Sequence, residues 1–228
     1  MITPTFPITE RNRIRRHADR ARYDAETIYA ILDAAMVGHF AFVREGQPVV
    51  IPALYARDGN RLVIHGHPAS GLMRHLASGS EVAVSVALLD GLVVTKSVAE
   101  LSVNYRSATV FGHGRLLTDE DEKRSALRVL TERLVPGQWQ AANTPPERHL
   151  RGVAVAEIAI ESAAAKVRTG LPNDPPECRD LPVWAGYVPI QRTFGEPIPA
   201  DYANTPLPSA LADYLQNKTQ RTKSMESK

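Results

Sequence analysis

Turn dipeptides cut the middle of this chain into strand-length pieces. Glu45-Gly46, Asp58-Gly59-Asn60, Ser78-Gly79 and Asp90-Gly91 each join a polar residue to a glycine that tolerates positive φ, the chemistry of tight reversals. Between them, residues 39–43, 48–55, 61–65, 81–87 and 91–96 read as strands. Residues 105–117 form the longest β-like stretch, where glycines 112 and 114 predict a bend or bulge. Residues 153–160 return to strand, and 164–168 read as its continuation. Asp24 caps a helix whose apolar face is Ile28, Ile31, Leu32, Ala35 and Met36 and which ends at Gly38. Ser70 caps a short helix carrying Leu72, Met73 and Leu76. Thr118-Asp119-Glu120-Asp121 opens a third helix, which buries Leu127, Leu130 and Leu134 and stops at Pro136-Gly137. Short strands, few helices and no βαβ rhythm argue against a parallel sheet. The pattern is a mainly β fold with flanking helices, a small antiparallel barrel with the helices on its outside.

One domain suffices for 228 residues. We expect an arm over 1–23, a barrel over 24–170, a wrap of the same domain over 171–216 and a disordered tail over 217–228. Residues 172–208 hold nine of the 17 prolines, so this stretch is an ordered wrap or a loose tail and not a second core. A last short helix falls at 209–216. The formal charge of +2 gives no argument for nucleic acid or an anionic membrane. Arg11, Arg13, Arg15, Arg16, Arg20 and Arg22 form the one basic cluster, read as a solvated arm. The start lacks an apolar signal region and the apolar runs are strand-sized, so a cytoplasmic location is expected. Cys178 is a single cysteine in a Pro-rich loop, excluding an intrachain disulfide.

Catalytic signatures are sparse. Gly112-His113-Gly114 continues a strand and is no dinucleotide fingerprint. His65-Gly66-His67 lacks a carboxylate, and alternating strand positions face opposite ways, so no metal site is expected. His65 is read as lining a pocket and His67 as capping the next turn; two partly exposed turn histidines are the alternative. Ser70 begins a helix, a place that suits phosphate but that serines also occupy simply as caps. Asn104-Tyr105-Arg106-Ser107, preceded by Lys96-Ser97, gathers the groups that pair with a phosphorylated cofactor; a solvated edge strand would use them equally well. Lys166-Val167-Arg168 and Trp184-Ala185-Gly186 complete the set, with Trp184 either in the core or beside a flat ring.

These motifs, in this order, resemble the pyridoxamine 5′-phosphate oxidase-like flavoproteins, in the branch that includes the nitroimidazole-resistance proteins. The pieces are His65-Gly66-His67-Pro68-Ala69-Ser70, Leu89-Asp90-Gly91-Leu92-Val93, Ser102-Val103-Asn104-Tyr105-Arg106-Ser107, Phe111-Gly112, Val135-Pro136-Gly137, Lys166-Val167-Arg168-Thr169-Gly170 and Trp184-Ala185-Gly186. The resemblance spans roughly residues 10–190. It implies an FMN-binding split β-barrel and a homodimer with FMN at the subunit interface. Ile64, His65, Ser70, Gly71 and Leu72 match the positions around the flavin phosphate, and Arg106 and Ser107 match the strand that reaches the cofactor of the partner subunit. His65 also matches a histidine implicated in the active site of the nitroimidazole branch.

One departure stands out. The oxidase carries an Arg-Lys pair after the helix-start serine, where this chain has Gly71-Leu72. Lys96, Arg106 or Lys166 would have to replace those cations, and haem or a deazaflavin stays open as the cofactor. The arginine and histidine set for a pyridoxal substrate is missing, so vitamin B6 oxidation is not expected. The resemblance therefore implies an FMN-dependent oxidoreductase acting on a small flat electrophile, a nitro-aromatic or quinone. Lys96, Arg106 and Ser107 would anchor phosphate and ribitol, Ser70 would add donors, His65 would sit at the reactive face, and Lys166 and Trp184 would close the groove. The alternative is a flavin- or haem-binding carrier or sensor without turnover.

Overall fold

The computed structural model describes residues 4–142 and 146–224. In chain order the elements are β1 (Ala21–Arg22), α1 (Ala25–Ala34), β2 (Val37–Arg44), β3 (Gln47–Leu54), β4 (Ala56–Asp58), β5 (Arg61–Gly66), α2 (Gly71–Ala77), β6 (Glu81–Val94), β7 (Ser102–Leu116), α3 (Glu120–Leu134), α4 (Gln138–Ala141), α5 (Glu147–Gly152), β8 (Ala154–Ala159), β9 (Ser162–Arg168), β10 (Gly186–Pro189) and α6 (Ser209–Ser224). All strand pairs are antiparallel, in the order β3-β2-β6-β7-β8-β5-β4, with β9 on β7, β1 on β9 and β10 on β6. The fold is mainly β with flanking helices, and its sheet does not close.

Strand β7 organises the molecule because it belongs to two sheets. Tyr105 to Phe111 pair with β9, while Gly114 to Leu116 pair with β8. The handover falls at Gly112-His113-Gly114. A Cβ on Gly112 would collide with the carbonyl oxygen of Ala159, and one on Gly114 would stand 2.6–2.8 Å from Leu76 of α2. Glycine is required here for close approach. Pairing with β6 continues through Gly112 without a slip, so the expected bulge is absent from β7. It lies on the partner strand, between Leu89 and Gly91. Residues 81–87 and 91–96, read as two strands, are the single strand β6 across that bulge, because an Asp-Gly pair serves a bulge as well as a turn.

Other local expectations also change. Helix α1 ends at Ala34, and Gly38 lies in β2, packed under Val84 and Tyr55. Residues 164–168 do not prolong β8. The chain reverses at Ile160-Glu161, and β9 runs back along β7. Along α3, Ala126 and Leu130 are the fully buried positions, with Leu127 and Leu134 half-buried. Helix α6 runs through Ser224, where a helix over 209–216 and then a disordered tail were expected. Residues 225–228 of that tail and 1–3 of the arm lie outside the described residues.

The short-range caps follow their sequence rules. Asp24, Ser70 and Asp119 each accept the backbone N–H three residues ahead, at 2.8, 3.2 and 2.9 Å. The main core gathers Ile28, Ile31 and Leu32 of α1, Phe40, Leu62, Ile64, Met73, Leu76 and Ile158. Val63, Val155, Ala126 and Leu130 form a smaller core under α3. The β2–β3 hairpin turns at Glu45-Gly46, with φ of 52° and 75°. The arm is packed by Asn12, which is buried and donates to the carbonyls of Pro7 and Ala163. Parts of the segment after β9 fold back on the sheet: Asp174 accepts the Ser97 N–H at 2.9 Å, and β10 adds to the far end of β6.

Two predictions follow from this packing. Gly112→Ala forces a carbonyl out of place and is expected to cost at least about 2–3 kcal/mol in urea unfolding, whereas Gly152→Ala, with open space around it, stays near wild type. The second concerns Glu157, whose carboxylate joins three strands by accepting from Arg61 of β5 and Arg115 of β7. Burial pushes its pKa up, but those two guanidinium bonds outweigh burial and hold it below its ordinary 4.5. Its contribution to stability is thus present above pH 4.5 and is lost as pH falls through the lowered folded value. Glu157→Gln should flatten that part of the acid unfolding curve.

Candidate functional site

The candidate residues fall into two groups at opposite ends of β7. One group surrounds the end of β5 and the start of α2. Ile64 is buried in the core opposite Ala156, and His65, opposite Val155, is exposed. His67 Nδ1 accepts the Ala69 N–H at 3.1 Å, the turn cap expected of it. The Ser70 hydroxyl accepts the Met73 N–H, which leaves its own proton free. Leu72 is buried, so only its backbone faces outward chemistry. Over Gly71 lies a side chain that the sequence did not bring forward, Arg44 from the end of β2. Its Nη1 is 2.7 Å from the place where a Cβ on Gly71 would stand.

The second group surrounds residues 104–107. Asp90, displaced by the bulge in β6, takes the Arg106 guanidinium on both oxygens, Nε to Oδ2 at 2.9 Å and Nη2 to Oδ1 at 2.7 Å. The carboxylate bond raises the pKa of Arg106 more than burial lowers it, so the guanidinium stays charged and already neutralised. Ser107 pairs across to Lys166 in β9, and its hydroxyl donates to the Lys166 carbonyl at 3.4 Å. As neighbours on one strand, Arg106 and Ser107 point to opposite faces. Asn104 is buried, donating to the Gly170 carbonyl and accepting from Arg168.

Lys96 is engaged elsewhere. Its ammonium donates to the carbonyls of Arg179 and Leu181, both at 2.6 Å, and so pins the wrap. The wrap also docks on the bulge: the Tyr187 ring lies against Gly91, and its hydroxyl donates to the Asp90 carbonyl at 2.5 Å. Trp184 is not a core residue. It is 62% exposed, with its ring over Gly186. Gly186 pairs with Val94, whereas Lys166 pairs with Ser107. Along the β6–β7 ladder that is about six strand positions, roughly 20 Å, so one chain does not bring Trp184 and Lys166 together.

The larger separation decides what one chain can do. His65 is opposite Val155, whose carbonyl accepts the Leu117 N–H. From Leu117 back to Arg106 is roughly 35 Å of extended strand. A single phosphate cannot touch both groups within one chain.

Between the two groups lies an open sheet face. The registers of β3, β2, β6 and β7 align Pro52, His39, Ser85 and Thr109 in one row and Val50, Ala41, Ala83 and Phe111 in the next. Val37, Val50, Leu54 and Leu89 on that face are 42–59% exposed. The face mixes small residues and exposed aliphatics with His39, Ser85 and Thr109, and the Arg11 guanidinium lies 4.3 Å from the Phe111 ring centre at its edge.

No helix among the described residues is long and apolar enough to cross a membrane. A family model described as pyridoxamine 5′-phosphate oxidase matches residues 24–167. The chain is similar to the flavocytochrome Anf3 from Azotobacter vinelandii, at 34% identity over 92% of this chain and 98% of that one, with a TM-score of 0.85. It is also similar to a FAD and haem binding protein from Mycobacterium smegmatis, at 36% identity over 85% of this chain and 96% of that one, with a TM-score of 0.81. A 5-nitroimidazole antibiotic resistance homologue from Bacteroides thetaiotaomicron, at 22% identity over 64% of this chain and 86% of that one, shares the fold with a TM-score of 0.56. No curated protein matches.

The clamp on the wrap can be tested directly. Lys96→Ala removes both carbonyl contacts of the ammonium and should speed proteolysis within residues 175–185. The global unfolding free energy should change by less than about 1 kcal/mol, since both of those hydrogen bonds are solvent-exposed.

Proposed function

The chain belongs to the pyridoxamine 5′-phosphate oxidase family, and from that premise we propose a flavin-dependent redox protein that also binds haem and works as a homodimer. The observation that carries this reading is the likeness, over 85–92% of the chain and at 34–36% identity, to a flavocytochrome and to a FAD and haem binding protein. The nitro-aromatic reductase expected from the resemblance has less support, since the nitroimidazole homologue is only 22% identical. Reduction of a small flat electrophile is kept as the use to which the flavin is put.

The residues present fit a flavin. Gly71 leaves a cradle that a side chain would fill, with a guanidinium beside it and a hydroxyl that still has its proton. The fit requires two copies. The groups at the two ends of β7 meet at one cofactor only if a second chain lies against the open face, an isologous arrangement in which each copy supplies one end to each site. His39, an exposed imidazole without a side-chain hydrogen bond among the described residues, would supply a nitrogen donor to a haem iron. A bound flavin supplies the electron chemistry. The chain orients it, shields it beneath the paired sheet faces and offers the His65 imidazole as a proton donor at the edge of the site. FMN is the flavin that the family resemblance implies. FMN and FAD share the ribityl phosphate, so the same cradle serves either.

The test is an absorbance spectrum of freshly purified protein, repeated after incubation with excess flavin and haem and gel filtration. Flavin bands together with a haem Soret band are expected, in a species of twice the chain mass. Flavin alone, bleached by a nicotinamide donor and recovered by a nitro-aromatic, would favour the simple reductase. A spectrum that stays blank after both additions would overturn the cofactor assignment.

A further inference from the structure

We infer that Arg44, from outside every motif that marks the site in the sequence, is the cation that receives the ribityl phosphate at Gly71. The inference rests on the flavin reading above and goes beyond it by naming a residue and its partner atoms.

The argument begins with the cations that are already engaged. Lys96 is bonded to two carbonyls of the wrap, and Arg106 is held along its Nε–Nη2 edge by both oxygens of Asp90. Lys166 stands at the far end of β7 from Ser70, opposite Ser107. None of the three serves a phosphate beside Ser70 of the same chain. Residues 71 and 72 are a glycine and a buried leucine, so the two positions after the serine bring no charge; Arg74, exposed one turn further along α2, is the local cation against which Arg44 is to be compared.

Arg44 fills that gap from a different element. It is the last residue of β2, set by the Glu45-Gly46 turn and paired in register with Gln47. Its Nη1 occupies the space that a side chain on Gly71 would take, 2.7 Å from the ideal Cβ position. Among the described residues it makes no ion pair and no side-chain hydrogen bond, in contrast to Arg57, Arg61, Arg106 and Arg115, which each hold a carboxylate. A guanidinium laid over Gly71 without a counter-ion, one residue along from a serine hydroxyl whose proton is unused, is a donor set without its acceptor. A phosphate ester satisfies it: the planar fork takes two oxygens and the hydroxyl a third. A neutral ring does not.

Gly71 has a role in this arrangement. Any side chain there would meet the tip of Arg44. The absence of a Cβ at 71 lets the cation arrive from the hairpin and not from the helix itself.

The experiment titrates the full-length protein, freed of bound flavin, with FMN, FAD and riboflavin by flavin fluorescence. Riboflavin lacks the phosphate and is the control. Wild type should bind FMN and FAD more tightly than riboflavin. Arg44→Ala should weaken FMN and FAD by roughly 10- to 100-fold and leave riboflavin within about threefold, which a merely structural role would not do. The double variant Arg44→Ala with Gly71→Arg restores a guanidinium from the helix side and should recover most of the loss. Unchanged FMN affinity in Arg44→Ala, or equal loss for riboflavin, overturns the assignment of Arg44 and leaves the flavin reading standing. A wild-type protein that binds none of the three overturns both.

Discussion

The arrangement depends on one strand being shared by two sheets. Strand β7 can leave β9 and take up β8 only if its backbone passes close to the β8–β9 reversal, and the Ala159 carbonyl occupies the space where a side chain on residue 112 would begin. Two residues later, Gly114 admits Leu76, which seats α2 against the same crossing. The two glycines thus fix both the split of the barrel and the position of the short helix. They also fix a distance. With the crossing in place, the start of α2 and the polar string at Asn104 to Ser107 are carried to opposite ends of an extended strand, whatever their side chains do.

A second constraint is electrostatic. Strand β6 slips by one residue at Asp90, and the slip aims a carboxylate at Arg106 while exposing the Asp90 carbonyl to Tyr187 and Ile190 of the wrap. One bulge therefore neutralises a guanidinium and anchors the C-terminal segment, with Lys96 closing the same segment from the other side. A half-exposed pair of this kind contributes little to stability on its own. Its larger effect is to remove Arg106 and Lys96 from the set of free cations. Arg44 at one end of β7 and Lys166 at the other are among the cations that hold no carboxylate among the described residues.

The legible parts of the sequence were those set by contacts three or four residues apart or by alternation. Asp24, Ser70 and Asp119 announced their helices because a cap joins a side chain to a nearby N–H. The strands of the β2–β3 hairpin were legible because the Glu45-Gly46 turn and the pleat share one register. What escaped was non-local. Asp90-Gly91 has the composition of a turn, and only pairing with β7 makes it a bulge. Residues 164–168 read as a continuation because nothing in Ile160-Glu161 marks a reversal. Of the site, the string Asn104 to Ser107 and the stretch His65 to Leu72 were visible as motifs. The carboxylate on Arg106 and the wrap on Lys96 were not, being contacts across 16 and more than 80 positions. Arg44 lies 27 positions before Gly71 and carries no motif of its own.

The same non-locality explains why a site in this fold reads as incomplete in one chain. Opposite ends of a strand meet when two such strands lie antiparallel about a two-fold axis, since the axis carries each end onto the other. The small side chains of Ala41, Ala83, Ser85 and Thr109 leave room in the middle of that face for such an approach. On the proposed homodimer, each site would then take Arg44, Ser70 and His65 from one copy and Lys166 and Ser107 from its partner. Cofactor affinity and association would be linked: a ligand held by both chains favours the pair over the separate copies by its own binding free energy. The exposed aliphatics at Val37, Val50, Leu54 and Leu89 would add the apolar area that holds the pair together when the site is empty.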